Sequence, residues 1–366
     1  MTTRSSRRWL GRAGLLASSL LVGLIAGELV LRAMGVAPDR WVMPRSLERE
    51  DKRVALDLYP DDPRDYFPLD LRNTDERRRW REVGLSEVDA RWERTPHGVP
   101  LSFSEELCRG GAIGEKREGT PRVVVIGDSF TEGQGVREED TFAARLDASL
   151  GDVEVINCGR RGYDFPELHE LFTRHLALEP DVVVYAMVLN DPQQSEAFHA
   201  RQAYIDDWIL DRRRMVTGGD GSPDPWTPRL FSVLSDRLEG MRVGAATTRW
   251  YQEMVEAPNA EGWNATLEHV SAMDRTMRER GGVFVVVLWP LMVGLDGEYP
   301  FDATHQTIAR ALEQRSIAFS DTLPAFRGRT PGELWVHPSD RHPNEQGHAI
   351  LAGEVEGAVR AAVEGL

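Results

Sequence analysis

Apolar residues fall along this chain in short unbroken runs, separated by stretches of helix length whose apolar positions recur every three or four residues. The densest run is Val123-Val124-Val125-Ile126, β-branched throughout with no polar interruption. Such a run fits a strand covered on both faces, and the Gly127-Asp128-Ser129 that follows marks an abrupt exit from it. Phe142, Leu146 and Leu150, at a spacing of four, predict the returning helix. Residues 153–156 predict a second strand, followed by a turn with Gly159 and Gly162. Residues 182–188 predict a third strand that runs straight into Asn190. Further on, the pattern predicts helices over 260–280 and 303–315, an apolar strand over 283–288, a weaker fifth strand over 316–320 and a last helix over 348–363. Strands that alternate with helices in this way build a parallel sheet.

Two regions depart from this alternation. Residues 1–12 carry Arg4, Arg7, Arg8 and Arg12 with no acid, and residues 13–31 are apolar apart from Ser18, Ser19 and Glu28. As a helix that run covers about 28 Å, close to the thickness of a bilayer core. Its basic flank should stay in the cytoplasm and the remaining chain should be exported. A cleaved signal peptide is the competing reading, with 13–27 as its apolar region and Ala33-Met34-Gly35 as a weak cleavage site. The expected organisation is a basic flank and membrane anchor over 1–35, a charged, Pro-bearing stalk and extension over 36–121, and an α/β domain over 122–366. That domain holds an insertion at about 191–259, with Trp208, Trp226, Trp250 and an amphipathic stretch of Leu230, Phe231, Leu234 and Leu238. A helical cap whose aromatics pack on the domain is the expectation for it, ahead of a platform for sugar rings.

Composition narrows the function. The 366 residues carry a net charge of −15, and nothing basic and contiguous follows the first dozen residues, which argues against a nucleic-acid partner. The loop after the first strand lacks both the Lys-Ser/Thr pair of a P-loop and the three-glycine dinucleotide spacing. Cys108 and Cys158 are the only cysteines, too few for a thiolate zinc site, and two free thiols are expected rather than one disulfide.

What remains is nucleophilic chemistry. Ser129 stands where the carboxyl end of the first strand should lie, the edge at which open α/β sheets bind ligands. Near the C-terminus, LWVHPSDRHPNEQGH supplies Asp340 and His342 in a polar loop, so the order along the chain is serine, acid, histidine. A serine needs a base to attack at neutral pH, and the base needs an acid to fix its tautomer and stabilise the imidazolium. His337 is a rival base, set aside because it precedes the acid.

Here the chain resembles the SGNH hydrolases, the GDSL esterase/lipase family. The residues that name the family match as Ser129 in GDSFTEG, Gly162 in NCGRRGYD, Asn190 in VLND and His342 in DRHPNEQGH. The resemblance covers roughly 122–366 and implies a flavodoxin-like fold, a five-stranded parallel sheet between helices. It implies Ser129 as nucleophile, His342 as general base, Asp340 as the acid that bonds its Nδ1 side, and an oxyanion hole of the Ser129 and Gly162 N–H groups with the Asn190 side chain. It implies no cofactor or metal. Gly159 is a rival donor whose spacing suits the family less well. Two positions depart from the pattern: Val188 stands where the family often has glycine, and Ser339 stands at the usual acid position, leaving the DxH arrangement of Asp340 and His342. That arrangement is similar to that of membrane-linked polysaccharide O-acetyltransferase relatives. The expected activity is hydrolysis of small acyl esters, acetyl groups on a cell-surface glycan or lipid among them. Acyl transfer to a polysaccharide and a catalytically silent glycan-binding or scaffold domain are the alternatives.

Overall fold

The computed structural model describes residues 3–34, 103–201, 228–337 and 340–366 of the chain. In order, its elements are α1 Thr3–Ala33, β1 Arg122–Gly127, α2 Ser129–Glu132, α3 Phe142–Leu150, β2 Glu154–Asn157, α4 Glu167–His175, β3 Val182–Met187 and α5 Glu196–Ala200. After these come α6 Arg229–Glu253, α7 Ala260–Glu279, β4 Val283–Leu288, α8 Asp302–Glu313, β5 Ala318–Asp321, α9 Leu323–Phe326, β6 Trp335–His337, β7 Asp340–Pro343 and α10 Glu345–Glu364.

The β-branched runs become strands because each is buried on both faces: every residue of β1 and β3 is inaccessible to solvent. The five strands β1 to β5 form a parallel sheet in the order β2-β1-β3-β4-β5. This is the flavodoxin-like order, in which the connections leave in opposite directions at β1 and β3 and open a crevice at their carboxyl ends. The fold class expected from the sequence is the one observed. Helices α3 and α10 pack together on one side of the sheet, and α4 and α7 pack together on the other.

The region between β5 and α10 differs from the expectation of a loop. It contains an antiparallel hairpin, β6 and β7, with Trp335 opposite Pro343 and His337 opposite Asp340. The hairpin is fastened from both sides. Trp335 Nε1 donates to the Met292 carbonyl beyond β4 at 2.6 Å, and Asn344 caps α10 by accepting from the Gln346 and Gly347 N–H groups. The Asn344 amide also donates to the Glu333 and Trp335 carbonyls, so one side chain couples hairpin and helix.

The described part of the insertion is helical, and Trp250 packs on the domain, but the amphipathic stretch does not. The insertion's described parts include the short helix α5 and the long helix α6, whose C-terminal end reaches the domain through Trp250 and Tyr251, both packed against the core. The N-terminal half leaves Phe231, Leu234, Leu238 and Met241 exposed instead of packing them as a cap. The reason is where that half lies: it meets the end of α1, where Glu28 accepts the Leu230 N–H at 2.8 Å and the Leu230 side chain covers Gly27. Trp208 and Trp226 lie outside the described residues, as does most of the stalk. Within α1, residues Gly11–Ala33 are long and apolar enough to cross a bilayer.

Candidate active site

Ser129 opens α2 two residues past the end of β1 and is buried. Asp128 caps this single turn, its Oδ1 accepting the Phe130 N–H at 2.9 Å. As the first helical residue, Ser129 has an N–H with no carbonyl available to it inside the helix. The Ser129 Oγ lies 2.8 Å from His342 Nε2, which β7 delivers from the hairpin across 213 residues of sequence. The imidazole is almost wholly buried, with the Phe130 ring 5.2 Å away. A hydroxyl and an imidazole nitrogen at that distance can share a proton, which is the geometric requirement for a base-activated nucleophile.

The candidate oxyanion donors are held by carboxylates from the nucleophile's own motif. Asp128 Oδ2 accepts from Asn190 Nδ2 at 3.2 Å, fixing the side chain that leaves the end of β3. Burial pushes the Asp128 carboxyl above its ordinary range, against the opposing pull of the Phe130 N–H and His342. Asn190 itself stands in a tight turn in which the Asp191 N–H donates to the Val188 carbonyl and Asp191 Oδ2 accepts the Val188 N–H.

Glu132, four residues after Asp128, holds the other donor. Its carboxylate is inaccessible, accepts the Arg161 N–H at 3.0 Å and pairs with the Arg161 guanidinium. Burial alone would push this carboxyl up; the Arg161 and Arg160 guanidiniums outweigh that and hold it low. The next residue is Gly162, at φ +73° in a turn closed by the Tyr163 N–H and the Arg160 carbonyl. A residue with a Cβ is strained in that conformation, so the chemistry of the turn selects glycine. No described hydrogen bond takes up the Gly162 N–H. The rival donor Gly159 differs: its N–H is spent on Asn157 Oδ1 at 3.0 Å.

The two cysteines are paired. Cys108 and Cys158 form a disulfide, contrary to the expected free thiols, because the segment before β1 folds back onto the end of β2, with the Arg109 N–H on the Asn157 carbonyl. The next side chain, Arg109, is buried and bonds the Glu132, Gly133 and Val136 carbonyls, clamping the loop after the nucleophile. Burial lowers its guanidinium to about 10, still charged at neutral pH.

The GDSL-like lipase/acylhydrolase family model matches residues 125–350, well over half of the chain. The chain belongs to that family. It is therefore a GDSL-type ester hydrolase, and its fold and motif order agree with that membership. Among solved structures, it is similar to LAE5, an alpha/beta hydrolase from the metagenome of Lake Arreo, Spain, at 14% identity and a TM-score of 0.41 over 68% of this chain and 99% of that one. It is also similar to a catalytic mutant of an acetylxylan esterase from Geobacillus stearothermophilus, at 16% identity and a TM-score of 0.38 over 65% and 94%. A third is a lipolytic protein of the G-D-S-L family from Desulfitobacterium hafniense DCB-2, at 14% identity and 0.37 over 65% and 99%. No curated protein matches the chain.

Of the GDSL-family positions, the structure brings Ser129 and His342 into contact, links Asn190 to the residue before the serine, and ties the Gly162 turn to Glu132. The Asp340 side chain, like that of His337, lies outside the described residues. The group described at His342 Nδ1 is Gln134, whose side-chain amide stands 3.2 Å away. Sequence reasoning missed Gln134, Glu132 and Arg109. The first two were within reach, since both sit in the nucleophile's own loop, where a buried polar residue must find a polar partner.

Proposed function

We propose that this protein is a membrane-anchored, extracytoplasmic serine esterase that cleaves small acyl esters through an acyl-enzyme. Ser129 Oγ attacks the ester carbonyl carbon while His342 Nε2 takes its proton. The oxyanion is met by the Ser129 and Gly162 N–H groups and the Asn190 amide, which stabilise charge that exists only in the transition state. His342 returns the proton to the departing alcohol, leaving Ser129 acylated. Water then attacks the acyl carbon, His342 takes its proton, and collapse of the second tetrahedral intermediate frees the acid and restores the serine. Asp340 is assigned to the Nδ1 side of His342, stabilising the imidazolium.

The observation that carries this reading is the 2.8 Å approach of Ser129 Oγ to His342 Nε2 at the carboxyl end of the sheet. It also speaks against a silent scaffold, which needs no paired nucleophile and base. The small acyl group is supported by Val188, which stands fully buried two residues before Asn190 at a position where the family often has glycine. Acetyl groups on a cell-surface glycan meet that limit. Export is supported by the apolar α1 and by the Cys108–Cys158 disulfide, since such pairs persist in oxidising compartments.

A fluorophosphonate probe tests the nucleophile. It should label the wild type, and Ser129→Ala should abolish both labelling and p-nitrophenyl acetate turnover, by at least about 1,000-fold in kcat. A folded Ser129→Ala protein with unchanged turnover would refute the assignment. Adding a sugar acceptor to the same assay separates hydrolysis from transfer, because a transferase partitions the acyl group onto the sugar hydroxyl. Recovery of activity in the membrane fraction until detergent is added supports the anchor, whereas a mature N-terminus near Val36 identifies a cleaved signal peptide.

A further inference from the structure

The geometry points to Gln134 as a positioning residue for His342, holding the tautomer in which Nε2 can accept the serine proton. The inference deepens the reading of His342 as the base and rests on it. Gln134 is fully buried, and its side-chain Nε2 stands 3.2 Å from His342 Nδ1 on the far side of the ring from Ser129. An imidazole that accepts at Nε2 must carry its proton at Nδ1, so the atom that serves it there has to be an acceptor. The two ends of a carboxamide are isosteric, and the end that meets this requirement is Oε1, which comes to the place of Nε2 when the amide is turned over. The Gln134 amide then receives the Nδ1–H, fixes the ring and stabilises the imidazolium formed when Ser129 gives up its proton.

Gln134 can do this because its backbone has little freedom. Its N–H donates to the Ser129 carbonyl at 3.1 Å, which ties it to the nucleophile's turn. The carbonyls on either side, those of Glu132, Gly133 and Val136, are taken by the buried Arg109 guanidinium. On the other flank Gly135, at φ +75°, lies so close to the Val336 side chain of β6 that a Cβ could not fit between them. The loop bearing Gln134 is thus packed directly against the hairpin bearing His342. A side chain held on both flanks sets the ring's angle at small entropic cost, which a long surface glutamine could not do.

Asp340 is the acid assigned to the same side of the ring, and the effects of a neutral amide and a charged acid can be separated. The test uses the full chain in detergent, with two readouts: kcat and KM for p-nitrophenyl acetate across pH, and the titration of the His342 ring by NMR of histidine-labelled protein, its signal identified with His342→Asn. Gln134→Met keeps the volume and removes the acceptor. It should lower kcat about five- to tenfold, the scale of one neutral hydrogen bond, leave KM within about twofold, and move the acid limb to lower pH. Gln134→Glu places a carboxylate at Nδ1 and should move both the limb and the NMR midpoint to higher pH. In an Asp340→Ala background, the same Glu should restore part of the lost activity. If Gln134→Met and Gln134→Glu both fold and leave the NMR midpoint where it was, Gln134 only fills space and the inference is overturned. The NMR readout needs no turnover, so a shifted midpoint in a protein whose Ser129 takes no probe would sink the esterase reading and leave the Gln134 contact standing.

Discussion

The nucleophile and the base reach the same point by different means. Ser129 is placed by an interior strand of a buried sheet, by an Asp128 cap and by Glu132, so its position is a property of the core. His342 comes from a two-stranded hairpin outside that sheet, fastened by side chains: Trp335 on the Met292 carbonyl, Asn344 on both β6 and α10. The lesson is that damage on the two sides should differ in kind. On the nucleophile's side, residues that set geometry also hold the fold, whereas on the hairpin side geometry can be lost with little stability.

The sharpest break is His342→Ala. It should lower kcat by about a million-fold while Tm stays within a few degrees, measured by turnover and thermal unfolding on the same preparation. Glu132→Ala should do the reverse in order of severity. It takes the Glu132 carboxylate away from the buried Arg161 guanidinium, and removing one partner of a buried ion pair typically costs about 3 to 5 kcal/mol. Denaturant unfolding should register that loss directly, with impaired kcat in whatever remains folded because the Gly162 turn has lost its tie. A Glu132→Ala protein of wild-type stability would mean that the comparison drawn above is wrong.

Asn190→Ala sits between the two, since it removes a donor and leaves the backbone turn. A loss of about 100- to 1,000-fold in kcat with KM nearly unchanged is expected. An effect on KM alone would make Asn190 a substrate contact. The smallest effect concerns His348, a core residue of α10 whose Nδ1 accepts the Phe142 N–H and starts α3. Burial drives its imidazole down to about 3. Below the unfolded value of about 6.5, the unfolded chain takes up a proton that the folded state refuses. The stability contribution is therefore complete above about pH 6.5 and declines as pH falls toward 3, by about 1.4 kcal/mol per pH unit at its steepest. His348→Asn should flatten that slope in urea titrations between pH 6.5 and 4, without touching the activity limb set by His342.

How much of this was legible beforehand depended on how local its cause is. β1, β3 and β4 were readable because continuous β-branched runs have few alternatives to a doubly covered strand. β5 was displaced by two residues, as its short, half-buried segment carries a weak pattern. The β6–β7 hairpin was read as a loop because its residues hold two prolines and alternate poorly, and it is fastened by a contact with Met292, far off in sequence, and by Asn344 bonding back across it. The amphipathic stretch of α6 was visible, yet its destination was not: periodicity tells which face is apolar and is silent on what meets it.

The sequence by itself determined the order of the strands' chemistry. Ser129, Gly162 and Asn190 each follow a strand whose pattern is local, so local rules suffice to bring them to one sheet edge, whereas His342 arrives on a hairpin the pattern did not show. Only the tertiary structure decided which polar groups answer each other across that edge. Cys108 found Cys158, Glu132 took the Arg161 N–H in place of solvent, Gly159 spent its donor on Asn157, and Gln134 came to stand at His342 Nδ1. Burial is the physical reason. A polar group removed from water must be matched by whichever partner the packed chain brings within about 3 Å, and that choice is made by three-dimensional proximity, which no one-dimensional pattern encodes.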